Sequence, residues 1–386
     1  MKQNNNVKLL IITDFFYPHW TGISKSLFNL TKKLEKYFSI TVLTTQYNKN
    51  LPQKEYIGNV LIYRTKPQVK ISRTFISIFF IPYFLKLLFK HNIVLINSPC
   101  TNILFVSCLA FMLRKKILIF HQGDLILPKG ISNRIIEGIF NFSTKIACSC
   151  ATIVSSYSLD YAICSRILSP FLNKFTPLLL PVEIPNNLAH QDNNIKKTFT
   201  HLKKEGKIIC GFAGRFVEEK GFDILLNAIP DLIKKIPQIH FVFAGETNME
   251  YEHFFENQKT LISKNKKYIS FLGLLNDTDL SYFYHKISLI ISPSRSDCFN
   301  LVQAEAMLSG VPSIASDIPG LRYLVKNTGF GLLFKSNDPQ SLTNTIFYAL
   351  KIYKTLRKKH PYLVSFIQNN TTISQYVRLF NEKQIV

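Results

Sequence analysis

No stretch of this 386-residue chain is apolar for long enough to cross a bilayer. The greasiest segment, residues 75–89, is interrupted by Pro82 and Lys86 and falls short of the roughly 20 residues a spanning helix needs. A secretory signal is not expected either, because the apolar run at 9–12 breaks at Asp14 before a signal-length core develops. The seven cysteines lack paired metal-knuckle spacing and mostly sit in apolar surroundings. That is how free thiols are used in a reducing compartment, so the chain reads as cytoplasmic. Zinc-finger, RNP and basic-zipper patterns are missing, which leaves a nucleic-acid partner without a motif. No internal repeat is visible.

Acidic residues are scarce, above all in the first half. Residues 1–182 hold 22 Lys plus Arg against 6 Asp plus Glu, a balance of +16, whereas the remaining 25 against 18 leave +7. Such an excess is read as a nucleic-acid surface, an anionic membrane surface or a solvated face. What is abundant is apolar residue, 47% against 18% charged, in a chain long enough for two domains with their own cores.

The pattern along the chain alternates between strand and helix. Residues 7–16 predict a buried strand, followed by a loop at 17–22 and a helix to about 36; Gly22 at this turn lets backbone approach a phosphate at the helix start. Strands at 39–45 and 59–64, a helix over 75–90, a strand at 93–98, a helix at 103–113 and a strand at 116–121 predict a doubly wound parallel sheet. The helix over 75–90, between Arg73 and Lys90, is either a buried core helix or a monotopic membrane contact with basic flanks. His121 and Asp124 stand at a strand's carboxyl end, where ligands of open sheets bind, although a histidine there is more often structural. Strands at 151–155 and 174–180 complete the first domain, 1–182.

Residues 183–206 are polar, rich in Asn and Lys, and predict a linker. A second domain, 207–370, opens with a strand leading into residues 211–221, GFAGRFVEEKG. Arg215 and Lys220 lie five apart on one loop between strand and helix and can converge on an anion, one as a planar fork and the other as a point charge. The loop at 246–248 and the sequence Gly273-Leu274-Leu275 follow further strands. Asp277-Thr278-Asp279 looks like a metal motif, but Asn276 or Asp277 reads better as the cap of a helix running to Lys286, and no metal is expected. Residues 292–319, SPSRSDCFNLVQAEAMLSGVPSIASDIP, predict loop, helix from about Asn300, turn and strand. Asp297 falls at the helix entrance and Glu305 more than one turn inside. Backbone N–H groups from Cys298 to Leu301 can hold hydroxyl or phosphate oxygens, while a plain cap and a solvated glutamate are the ordinary alternatives. Helices to 367 and over 374–382 are expected at the end.

This stretch resembles the signature of family 4 glycosyltransferases, retaining enzymes of the GT-B fold. The second acidic residue of the motif is Glu305, Ala306-Met307 follows, and Gly310-Val311-Pro312 supplies the turn; Asp297 stands where the family has a first glutamate, with Cys298 and Asn300 around Phe299 in place of glycines. The Gly-Arg-x-x-x-x-Lys-Gly run of 214–221 resembles the family's diphosphate loop. The resemblance implies two Rossmann-like domains facing across a cleft, with the last residues, 371–386, returning to the first domain. It implies a UDP- or GDP-linked sugar as donor and transfer with retention. Arg215, Lys220 and Gly22 would face the diphosphate, Leu274 the base, and Glu305 the ribose. Asp297 with the backbone of Phe299, Asn300 and Leu301 would hold the sugar, His121 would lie beside it, and Asp124 would meet the acceptor. A saccharide or lipid-linked saccharide of the cell envelope is the expected acceptor, with an anionic membrane surface as a further partner of the basic first half. The rivals are a nucleotide-sugar epimerase of the same fold and a non-catalytic, membrane-docked binding protein.

Overall fold

A computed structural model describes residues 7–19, 21–71, 74–127, 130–184, 192–247 and 252–381. Arg73, Asn248, residues 185–191 of the expected linker and residues 382–386 lie outside them. The chain divides into two units, residues 1–181 with 370–386, and residues 182–369.

Unit 1 is built on β1 (Lys8–Ile12), β2 (Ser39–Thr45), β3 (Lys54–Ile57) and β4 (Val60–Thr65), then β7 (Ile93–Ser98), β8 (Lys116–His121), β9 (Ile153–Ser156) and β10 (Phe175–Pro177). β5 (Val69–Ile71) and β6 (Thr74–Ile76) form a separate antiparallel pair. The large sheet runs β10-β9-β8-β7-β1-β2-β4-β3, parallel except at the β3–β4 edge. Apolar runs such as Leu9–Ile12, without polar alternation, are buried completely, as strands covered on both faces must be. Its helices include α1 (Gly22–Leu34), α2 (Phe80–Leu88), α3 (Ile103–Met112) and α4 (Ile131–Cys150).

The helix foreseen over 75–90 is shorter, because residues 74–76 pair with β5 instead, and Pro82 falls in the first turn, where a missing N–H costs nothing. α2 buries Phe80, Phe84, Leu87 and Leu88, so one face of it is a core helix. The supposed linker contains α5 (Asn193–Lys204), capped by Asp192, whose side chain accepts from Asn194 N. Its polar composition hides a stripe of Ile195, Phe199 and Leu202 at helical spacing, which is buried.

Unit 2 carries β11 (Ile208–Ala213), β12 (Ile239–Ala244), β13 (Ile269–Phe271), β14 (Leu289–Ser292), β15 (Ser313–Ser316) and β16 (Gly331–Phe334), all parallel in the order β13-β12-β11-β14-β15-β16. Successive side chains of a strand point to opposite faces, and the cores obey this. Phe241 and Phe243 of β12, with Leu289 and Ile291 of β14, join one cluster, while Val242, Ala244 and Ile290 join another. Helices therefore cover both faces. Among them are α6 (Phe222–Lys235), α7 (Asp277–Lys286), α8 (Leu301–Leu308) and α9 (Pro319–Thr328).

The last helix, α10 (Ile373–Asn381), belongs to unit 1. Tyr376 donates its hydroxyl to the Leu179 carbonyl at 2.5 Å, and the Phe380 ring meets Phe38 edge-on at 5.5 Å.

Candidate functional site

The order of the second sheet reverses at β11, with β12 on one side and β14 on the other. At such a switch point the loops leaving the two central strands diverge, and ligands of open α/β sheets bind at the carboxyl ends between them. The structure joins the two loops there. Lys220, from the loop after β11, places Nζ 2.7 Å from Asp297 Oδ2, in the loop after β14. The side chains are 19% and 8% exposed, so water screens the pair only in part. Asn300 Nδ2 approaches the same oxygen at 3.3 Å. Burial alone pulls the Lys220 ammonium down; the carboxylates of Asp297 and Glu219 outweigh it and hold the group above its ordinary 10.5, against an opposing push from Arg215. Arg215 itself lies 3.8 Å from Glu219 Oε2 and is 40% exposed. One loop thus presents a cation largely withdrawn from water and a second, half-exposed one paired with Glu219.

Arg295 staples this arrangement. Its guanidinium donates to both carboxylate oxygens of Asp223, at 2.8 and 2.7 Å, and to the Glu218 carbonyl at 2.7 Å, while its backbone N–H donates to the Glu219 carbonyl at 2.8 Å. Gly221, at φ 66°, closes the loop, and a Cβ there would stand 2.1 Å from the Pro293 carbonyl oxygen. Only glycine fits. On the other side, Gly320 at the start of α9 sits so close that a Cβ would meet the Asp297 carbonyl oxygen at 2.0 Å. Sequence reasoning singled out neither Arg295 nor Asp223. They are 72 residues apart, and no local signal links them before β11 and β14 are known to be neighbours.

α8 begins at Leu301 with Asn300 as its cap, whose side chain accepts from Gln303 N at 3.0 Å. Phe299 is buried beside the cap. Glu305 is not a solvated helix residue: it is buried, and the Tyr284 hydroxyl donates to its Oε2 at 2.9 Å. Burial, then the Glu305 charge, pushes the Tyr284 phenol well above its usual range. Leu274 is 77% exposed, in a loop tied to its neighbour by a bond from Gly245 N to the Gly273 carbonyl at 2.7 Å. Asn276 caps α7 by accepting from Asp279 N, while the Asp279 carboxylate accepts from Asn276 Nδ2 and from Asp192 N.

Unit 1 has its own switch point at β1, between β2 and β7. Gly22 opens α1 behind a capping box in which Thr21 and Ser24 exchange bonds between side chain and backbone. The Asp14 carboxylate, after β1, accepts from the N–H and hydroxyl of Thr101, after β7. Beneath lies a buried chain in which Tyr157 donates to Gln122, Gln122 to Asn97 and Asn97 to Thr13. These residues were not foreseen, since single polar residues at strand ends carry no motif. His121 is wholly buried; Nδ1 meets Ser98 Oγ at 3.0 Å and Nε2 meets Asp124 Oδ1 at 2.9 Å. Asp124 also accepts from Ser165 Oγ and Arg166 N. Burial raises the Asp124 carboxyl, but those partners, led by His121, turn the balance and hold it below its ordinary value. His121 and Asp124 therefore form one bonded pair, with the imidazole turned inward.

Residues 193–362 match the family described as glycosyl transferases group 1. An uncharacterized glycosyltransferase of Methanocaldococcus jannaschii is 28% identical over 349 residues, covering 87% of this chain and 87% of that protein. A sucrose-phosphate synthase from Thermosynechococcus elongatus superposes with a TM-score of 0.75 at 17% identity, over 97% of this chain and 98% of the other. Anabaena HepE, solved in complex with UDP, superposes with a TM-score of 0.73 at 16% identity, over 97% and 98%. At such identities the likeness is one of fold, and the fold is GT-B. The match over residues 193–362 and these relatives make the chain a glycosyltransferase that resembles the glycosyl transferases group 1.

Proposed function

We propose that this glycosyltransferase moves a hexose-type sugar, with retention of configuration, from a UDP- or GDP-linked donor to a saccharide or lipid-linked saccharide of the cell envelope. The carrying observation is the Lys220–Asp297 pair at the switch point, with Arg215, half-exposed and paired with Glu219, on the same loop. Breaking the bond between sugar C1 and the diphosphate builds negative charge on the leaving group and positive charge on the ring. Charge held ready where it develops is the strongest help a site can give. Arg215 and Lys220 supply it, Lys220 kept protonated by Asp297. Lys220 and Asn300 both reach Asp297 at Oδ2, and Oδ1 is assigned to a sugar hydroxyl, next to the backbone of Phe299, Asn300 and Leu301.

Glu305 is assigned to the ribose and Leu274 to the base. Both ring nitrogens of His121 are bonded within the protein. In this reading His121 therefore positions Asp124 and the end of β8, where the acceptor binds. UDP is favoured as the nucleotide by the likeness to HepE, which was solved with UDP. The balance of +16 over residues 1–182 supports work at the cytoplasmic face of an anionic membrane. The test is a panel of UDP- and GDP-sugars screened by thermal shift, followed by product analysis with lipid-linked acceptors. Stabilisation by a nucleotide sugar and a sugar found on the acceptor support the proposal; an isomerised nucleotide sugar with no transfer overturns it.

A further inference from the structure

Apolar exposure is sharply uneven between the two units. Among the described residues, unit 2 exposes three large apolar side chains, Leu274, Tyr348 and Tyr362, whereas unit 1 exposes many, concentrated on α3 and α4. Along α4, Ile131, Ile135, Ile139 and Phe142 follow one another at helical spacing, so they share a face, and they are 81%, 58%, 63% and 66% exposed. α3 packs alongside α4 and is apolar all round. Helices of that kind are ordinarily buried, yet Phe105 and Met112 stand 62% and 75% exposed. Scattered apolar residues on a surface need no explanation, but a contiguous ridge of them marks a partner.

Charge identifies the partner. Residues 78–150 carry eight Lys and Arg against two acidic residues, Asp124 and Glu137. Both acidic side chains are turned to internal partners: Asp124 as described, and Glu137 to Leu127 N at 2.6 Å, with Arg166 at 3.8 Å. Lys86 and Lys90 at the end of α2, Arg114 just after α3, and Arg134 and Lys145 on α4 are exposed. Two copies of this chain meeting through such a face would bring like charges together, whereas an anionic bilayer accepts both the charge and the apolar side chains.

We infer that the outward faces of α3 and α4 insert into the interface of an anionic bilayer, with α4 as the leading element. The choice of membrane as partner rests on the proposed membrane reading. The insertion site is α3–α4 rather than the helix at 80–88, where Tyr83, at 39%, is the one large apolar side chain among the described residues that stands exposed. Charge alone holds a protein loosely and releases it in salt, because screening shortens the field to about 3 Å at 1 M. Inserted side chains keep a salt-resistant share of binding.

The test uses the full chain and vesicles of phosphatidylcholine with phosphatidylglycerol, at low and high salt. Wild type floats with the vesicles and keeps a measurable fraction at high salt. Ile135→Asn/Ile139→Asn, with an unchanged melting temperature, floats about tenfold less, the loss expected for two side chains no longer inserted. Ile139→Trp gives a blue-shifted emission quenched by brominated lipid. Flotation of the double variant at the wild-type level, with Ile139→Trp unquenched, overturns the insertion site but leaves attraction through charge intact. Failure of wild type to float even at low salt overturns both.

Discussion

Replacing Lys220 by methionine separates its two roles, structural and chemical. Lys220→Met keeps the length of the side chain and leaves the Asp297 carboxylate, 8% exposed, facing a thioether, with Asn300 at 3.3 Å. Stranding one member of a buried ion pair costs about 3–5 kcal/mol, and since Lys220 keeps some contact with water, about 2–3 kcal/mol is expected here. The double variant Lys220→Met/Asp297→Leu removes the stranded charge as well, so urea unfolding should show it recovering about 1–2 kcal/mol relative to the sum of the single losses. Transfer does not recover. Losing a charge-stabilising group costs about a hundredfold to a thousandfold in turnover in the single variant, and at least as much in the double variant, which also loses the Asp297 contact to the sugar, measured as sugar transferred at saturating donor. The pair also fixes a pH response. The folded Lys220 ammonium is held above 10.5, so the advantage of wild type over Lys220→Met is fully present below 10.5 and is lost as pH rises through the higher folded value. Turnover of Lys220→Met equal to wild type would reduce Lys220 to a loop clamp and refute the chemical role.

Three further outcomes are expected. Asp124→Asn should lower stability by about 1–3 kcal/mol at neutral pH, and, because the folded carboxyl sits below its ordinary 3.8, wild type should lose that advantage as acid carries the pH down through the folded value; a difference unchanged down to pH 2 contradicts the bonded His121–Asp124 pair. Gly221→Ala, forced to φ 66° and against the Pro293 carbonyl, should cost about 3–5 kcal/mol in a denaturant melt, and a loss under 1 kcal/mol would show that the loop yields. Arg295→Lys keeps the charge but not the fork to Asp223; it should lower kcat more than it raises KM, and an unchanged kcat would mean that the staple does not set the loop.

The sequence made unit 2 legible because its loops carry their glycines and charges at short, fixed spacing: Arg215, Lys220 and Gly221 fall within one turn, and Asp297 to Glu305 within one loop and helix. It could not reveal that Lys220 binds Asp297, since that contact spans 77 residues and exists only because β11 and β14 are adjacent. The same holds for Arg295 with Asp223 and for Asp14 with Thr101. α4 went unread because Ser132, Asn133, Gly138, Asn141, Ser143 and Thr144 are weak helix formers and its apolar stripe faces outward. α5 went unread because lysines and asparagines outnumber its three buried side chains. Glu305 shows the remaining limit: a glutamate inside a helix looks solvated until the Tyr284 hydroxyl is found against it.

The central claim is that Arg215 and Lys220 meet the donor's diphosphate in unit 2. A crystal structure of the protein with UDP, and one with GDP, tests it most directly. The account predicts diphosphate oxygens within about 3 Å of both side chains, beside the start of α8. A nucleotide bound elsewhere, with that loop untouched, would contradict it.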